Sequence, residues 1–128
     1  MYLLDTHTLL WALTDPDKLG AQARRVILDR STILLVSAAS AWEVSTKVRL
    51  GRLPGARPLV STWQRNLTRL GVQHLAITDE HALLCGSLDW GHADPFDRML
   101  AAQAIIESVP LLSRDRAFDS LPAVECLW

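Results

Sequence analysis

Four carboxylates stand where acids can act together. Asp5 directly follows the short apolar run Tyr2–Leu4, and Asp115 lies just beyond a second apolar run ending at Leu112. In open parallel sheets, ligands bind beyond the carboxyl ends of strands, where the strand order reverses. Asp5 and Asp115 are therefore placed for a shared site, although each also suits the cap of the helix or turn that follows it. Glu43 belongs to Ser40-Ala41-Trp42-Glu43 and precedes Lys47 by one helical turn. That stretch has the form of a capping box, and Glu43 can also pair with Lys47. Asp94-Pro95-Phe96-Asp97 is a strong helix start: Asp94 as N-cap, Pro95 in the first turn, and Asp97 complementing the helix dipole. Local structure accounts for each acid alone. What it leaves unexplained is so much acid at one helix start in a chain that also has acid at two strand ends. Carboxylates held close together repel, so at least one must bind its proton more tightly unless a counter-charge is present. A hard divalent cation, Mg2+ or Mn2+, is such a counter-charge, and it can polarise a phosphoryl oxygen and activate water.

The elements that must position these acids follow from the apolar pattern. Strand-length apolar runs alternate with longer helix-like segments, which indicates an α/β domain. Strands are expected at Tyr2–Leu4, Ile33–Val36, Val72–Ile77, Val109–Leu112 and Val124–Leu127. Helices are expected over Thr6–Leu13, Gly20–Arg30, Ser37–Leu50, Leu59–Leu70, Thr78–Leu88 and Pro95–Ser108, with Gly51 and Gly71 as stops. Asp15-Pro16-Asp17 reads as a turn, Leu53–Pro58 as a loop, and Asp89–Asp94 as a polar loop.

Size and composition bound the rest. The chain has 128 residues, 49% of them hydrophobic and 21% charged, which fits one soluble domain over residues 1–128. No apolar run approaches the ~18–20 residues of a membrane span, and the start of the chain lacks the basic and apolar regions of a secretory leader. Cys85 and Cys126 are the only cysteines, without zinc spacing, so a reduced cytoplasmic setting is expected. Thirteen basic residues against 14 acidic give a net charge of -1. Bulk positive charge is therefore excluded as a means of holding nucleic acid, and any such activity must come from a local site.

Taken together, four stretches resemble the PIN-domain family, and specifically VapC-like toxins of type II toxin–antitoxin systems. They are Leu4-Asp5-Thr6-His7, Ser40-Ala41-Trp42-Glu43, the long run from His92 to Ala104, and Ser113-Arg114-Asp115. They occur in the family's order and span nearly the whole chain. The resemblance implies a three-layer fold with a parallel sheet of about five strands, order 3-2-1-4-5, flanked by helices. That order brings Asp5 and Asp115 side by side, with Glu43 and Asp97 arriving from neighbouring helices. Asp97, directly before Arg98-Met99-Leu100-Ala101-Ala102, matches the family's metal-site aspartate, and Asp94 is secondary. The resemblance further implies an RNA substrate, a cognate small antitoxin, and assembly as a homodimer or a toxin–antitoxin hetero-oligomer.

Within that frame, Asp5, Asp97 and Asp115 are expected to hold Mg2+ or Mn2+, and Glu43 to hold metal or orient the attacking water. Thr6 and Ser113 adjoin the acids and can orient a carboxylate or a water, or serve simply as cap and turn residues. His7 and His92 are placed at the surface or behind the acids, since hydrolysis by metal-activated water needs no histidine. Arg98, Arg114 and Arg116 are candidates for phosphate contact at the rim. Trp42 is expected to be at least partly buried beside the site, and Trp63 to cover a helix face. Three other readings compete. A receiver domain wants an acidic pair after the first strand and a late lysine, but Asp5 is alone and no lysine follows Lys47. A haloacid-dehalogenase-like phosphatase wants a second Asp at position 7, which is His7. A catalytically inactive PIN-fold interaction module is disfavoured by the intact acid set.

Overall fold

The structure is a computed structural model describing all residues, 1–128. Five short strands form one sheet: β1 (Tyr2–Leu4), β2 (Leu34–Ser37), β3 (Gln73–Leu75), β4 (Leu111–Leu112) and β5 (Cys126–Leu127). Every neighbouring pair is parallel and the order is β3-β2-β1-β4-β5. Seven helices flank it: α1 (Thr6–Thr14), α2 (Ala21–Leu28), α3 (Ala38–Arg49), α4 (Arg57–Ser61), α5 (Trp63–Leu70), α6 (Asp79–Ser87) and α7 (Pro95–Glu107). The α/β class and the strand order match the expectation.

The sheet's two faces explain why the central strands read as unbroken apolar runs. Leu3 pairs with Leu35 and Leu111, and Leu4 with Val36 and Leu112. Side chains alternate along a strand, so these two rows face opposite ways. Leu3, Leu35 and Leu111 pack with Leu100, Ala101 and Ala104 of α7 and with Phe118. Leu4, Val36 and Leu112 pack with Leu9 of α1 and Leu67 of α5. Both faces are thus covered, as parallel sheets require.

The strand order places β1 between β2 and β4, so the chain reverses its direction of travel across the sheet there. The carboxyl ends of β1, β2 and β4 lead into Asp5, the start of α3, and Ser113 respectively. Ser37 ends β2 and caps α3 through Ala39 N–H at 3.0 Å. The cap therefore lies three residues before the Ser40 of the proposed capping box. Glu43 sits inside α3 rather than at its start, so that box does not form; the Lys47 pairing does.

The expected helix over Leu59–Leu70 and the loop over Leu53–Pro58 need correction. Pro54–Ala56 is a 3-10 turn, α4 starts at Arg57, and the helical path breaks at Thr62 before α5. The hydroxyls of Ser61 and Thr62 both bond back to the Pro58 carbonyl, at 3.1 and 2.7 Å. Asn66 then bonds to the Thr62 carbonyl and hydroxyl. Local side-chain bonds of this kind compete with a continuous helix. A second short 3-10 turn, Arg116–Ser120, carries Phe118 into the core and has no counterpart in the expectation.

Candidate metal centre at the strand ends

Asp5 is buried, 7% exposed, at the N-cap of α1. Its Oδ1 accepts the Thr8 N–H at 2.7 Å, and its Oδ2 accepts the Ser113 hydroxyl in a short hydrogen bond. The Thr8 hydroxyl in turn donates to the Leu112 carbonyl at 2.8 Å, which stitches α1 to the end of β4. Burial pushes the Asp5 carboxyl above its usual range, and the Ser113 and Thr8 bonds pull in the other direction.

Glu43 is 4% exposed, deep in α3. Thr6 donates its hydroxyl to Glu43 Oε1 at 2.6 Å, and Lys47 pairs with Oε2 one turn on. Thr6 Oγ1 also lies 3.0 Å from the Ser40 hydroxyl. Thr6 and Ser113 therefore each orient an acid. Ser113 additionally accepts the Asp115 N–H at 3.0 Å, so it shapes its turn as well.

Asp94 caps α7, accepting the N–H groups of Phe96 and Asp97 at 2.8 and 3.1 Å. Asp97, one turn into the helix, has its Oδ2 2.7 Å from His92 Nε2. The Asp97 carboxyl is pushed up to about 6, chiefly by burial; the His92 bond opposes this, while Asp94 and Glu43 add to it. Asp115 is exposed and caps the turn after β4 through the Ala117 N–H at 2.9 Å.

These acids share one cavity. Asp5, Glu43, Asp94, Asp97 and Asp115, with Thr6, His7 and Lys47, line a hollow of about 110 Å³ that has no hydrophobic wall. Lys47 is the one lysine among eight polar liners that include five carboxylates. One ligand atom each from His92, Asp97 and Asp115 lie within 4.8 Å of one another. Oxygen donors in excess of cations, two of them with raised proton affinity, are the donor set a hard divalent cation takes. The residues present fit Mg2+ or Mn2+.

Several side chains lie where the sequence did not put them. Arg98, expected at the rim, is a correction. Its guanidinium donates to the carbonyls of Leu88 and Trp90 at 2.7 Å, His92 at 3.1 Å and Cys85 at 3.2 Å. It holds the loop before α7 and has its donors committed to backbone. Trp42 is another correction: it is 55% exposed, edge-on against Phe96. Trp63 is partly buried against the core, as expected. Arg114 and Arg116 are exposed beside Asp115. His92 takes the second of its two expected places, behind the acids, against Asp97. It lies five residues before Asp97 across a helix start, a separation that only a loop folded back by Arg98 converts into contact. His74 and His81 lie away from the acids, His81 being buried between Thr78 and Glu107.

An open parallel sheet with acids converging at its reversal point defines a class of α/β domain built around a strand-end centre. The chain belongs to the PIN domain family, whose profile matches residues 2–124. Ribonuclease VapC22 of Mycobacterium tuberculosis is 30% identical over 119 residues, covering 92% of this chain and 89% of that one. Ribonuclease VapC16 of the same organism is 35% identical over 60 residues, and that match spans only 43% of VapC16's length. The crystal structure of VapBC2 from Rickettsia felis, bound to a DNA fragment from its promoter, superposes with a TM-score of 0.69. It is 15% identical, with 98% of this chain and 96% of that one covered, which is a likeness of fold. No helix is long and apolar enough to cross a membrane.

Proposed function

We propose that this chain is a metal-dependent endoribonuclease, the toxin of a type II toxin–antitoxin pair, acting in the cytoplasm as one PIN domain. The observation that carries the reading is the wholly polar cavity in which Asp5, Glu43, Asp97 and Asp115 meet at the strand ends. The similarity to two proteins named as VapC ribonucleases supports the choice of RNA. The resemblance in sequence supports a small antitoxin as partner, in a homodimer or toxin–antitoxin hetero-oligomer.

Asp5, Asp97 and Asp115 are the residues that would hold Mg2+ or Mn2+. When bound, the cation would polarise a phosphoryl oxygen and lower the pKa of a water, so that the water can give up a proton and attack the phosphorus as the P–O bond to the leaving oxygen breaks. Ser113 fixes the Asp5 carboxylate and His92 the Asp97 carboxylate, so both point at the cavity with little freedom. Glu43 has one oxygen taken by Thr6 and the other by Lys47, and each keeps a lone pair for a water in the cavity. Its role is to orient that water for attack on the phosphorus.

The test is cleavage of cellular RNA by the purified chain with Mg2+ or Mn2+, with EDTA, and by Asp5→Asn and Asp97→Asn. Cleavage that needs the cation and is lost in both variants is the expected result. Cleavage that survives EDTA, or is equal in wild type and both variants, overturns the metal-centre reading. Absence of cleavage alongside tight antitoxin capture would leave an inactive interaction module instead. Induction in cells with and without the neighbouring reading frame tests the toxin role, and harmless expression counts against it.

A further inference from the structure

Beside the acid cavity lies a larger pocket of about 510 Å³, lined by Asp5, His7, Trp11, Arg114, Asp115 and Arg116. It shares Asp5, His7 and Asp115 with the acid cavity, so the two hollows adjoin. Its volume far exceeds the roughly 30 Å³ of a water. Trp11 is its one hydrophobic residue.

Three aromatic rings build that wall. Trp11 lies near His7, with centroids 5.8 Å apart and planes at 47°, and near Trp128, at 5.5 Å and 58°. Neither neighbour stacks face to face on the indole. Trp128 in turn is pressed onto Gly20, where any Cβ would come within 2.5 Å of its ring. The back of the wall is therefore fixed by close packing, and Trp11 is half-buried rather than loose.

The cations opposite differ from one another. Arg116 is paired with Asp119 at 3.2 Å. Arg114 is exposed and makes no side-chain hydrogen bond or ion pair, although it directly precedes an acid of the cavity. A free guanidinium is a bidentate partner for phosphate. A flat aromatic face next to a free guanidinium is what a single-stranded nucleotide needs, one group for the base and the other for the backbone. A protein segment would instead look for a broadly apolar lining.

We propose that this pocket is a nucleobase subsite, in which one base of single-stranded RNA next to the scissile phosphate stacks on Trp11 while Arg114 grips the adjoining phosphate. The inference rests on the endoribonuclease reading above and adds which residues hold the substrate. It also favours unpaired RNA, since a paired base must first give up its pairing and stacking to reach Trp11.

The experiment uses the full chain carrying Asp97→Asn, with Mn2+, and a short labelled single-stranded RNA. An abasic oligomer of the same length and an RNA duplex are the controls. Adding Trp11→Ala should weaken RNA binding roughly ten-fold, the scale of one lost base stack, and leave the abasic oligomer unchanged. Trp11→Phe should recover most of the loss. Arg114→Ala should weaken both oligomers and lower the salt dependence by about 0.7 in log–log slope. Thermal melting checks folding; if Trp11→Ala melts early, Trp11→Leu keeps apolar packing without the aromatic face and reads the same loss. Equal binding by Trp11→Ala and its parent, or equal losses on RNA and abasic oligomer, overturns the subsite. So does a Trp11→Ala loss seen only in antitoxin capture, which would make the face a protein-docking surface. In the otherwise wild-type chain, RNA cleavage with a KM unmoved by Trp11→Ala sinks the subsite alone, whereas no RNA binding or cleavage at all sinks the ribonuclease reading.

Discussion

Asp97 holds its proton up to about pH 6, first because it is buried and then because Asp94 and Glu43 are near. A folded-state value above the unfolded 3.8 favours the fold at low pH, and this contribution is lost as pH rises through about 6. Asp5 acts in the same direction. Without divalent metal, thermal melts should therefore fall from about pH 4 to about pH 6, and Asp97→Asn should flatten the fall. Metal needs deprotonated ligands, so Mn2+ should raise the melting temperature more at about pH 7.5 than at about pH 5. At a hundred-fold excess over Kd the gain would be about 2.7 kcal/mol. The hydroxyls that aim the acids give a second prediction. Thr6→Val and Ser113→Ala should each cost roughly 10–100-fold in Mn2+ affinity or cleavage, read by calorimetry and by rate, with unchanged circular dichroism. Asp5 and Asp115 stood out in the sequence because each follows an apolar strand run, whereas Glu43 and Asp97 lie inside helices and were drawn to the same place only by the family resemblance. The surroundings of Arg98 and Trp42 were not readable: those of Arg98 depend on how the loop over 88–94 folds back, and those of Trp42 on where α7 sets Phe96, which no local pattern encodes.

That loop is the element on which the site leans most. It links α6 to α7, and it carries His92 and Asp94 while making few regular backbone bonds of its own. Arg98 replaces those bonds with four from one fork, to Cys85, Leu88, Trp90 and His92. Arg98→Ala should destabilise the fold by about 2–4 kcal/mol in urea unfolding, given that charged hydrogen bonds contribute about 1.5–3 kcal/mol each and do not add fully. Arg98→Lys should recover little, because an ammonium cannot span the same four carbonyls. Most elements were legible because the sheet's apolar runs and helix caps are local signals. Strand lengths were not: β4 and β5 keep only two residues each, because a strand ends where its neighbour does. The break between α4 and α5 was hidden for a different reason. Its cause is a set of hydroxyl and amide bonds around Pro58 and Thr62, which hydrophobic periodicity does not register.

At the scale of the whole molecule, the net charge of -1 is distributed unevenly, with five carboxylates around one hollow and a free arginine at its edge. Such a surface repels a polyanion until the hollow is filled. Mn2+ should therefore tighten RNA binding to the wild type, measured by stopped-flow fluorescence anisotropy at times short against cleavage, and should do so far less for Asp5→Asn. Lys47 bears on the same balance. It reaches into the hollow from one turn past Glu43 and neutralises that acid, while no other lysine or arginine lines the hollow. Lys47→Met should lower the melting temperature in EDTA and have a smaller effect once Mn2+ is present. The ammonium thus gives the buried Glu43 a permanent counter-charge, so that corner of the hollow is assembled by the chain alone.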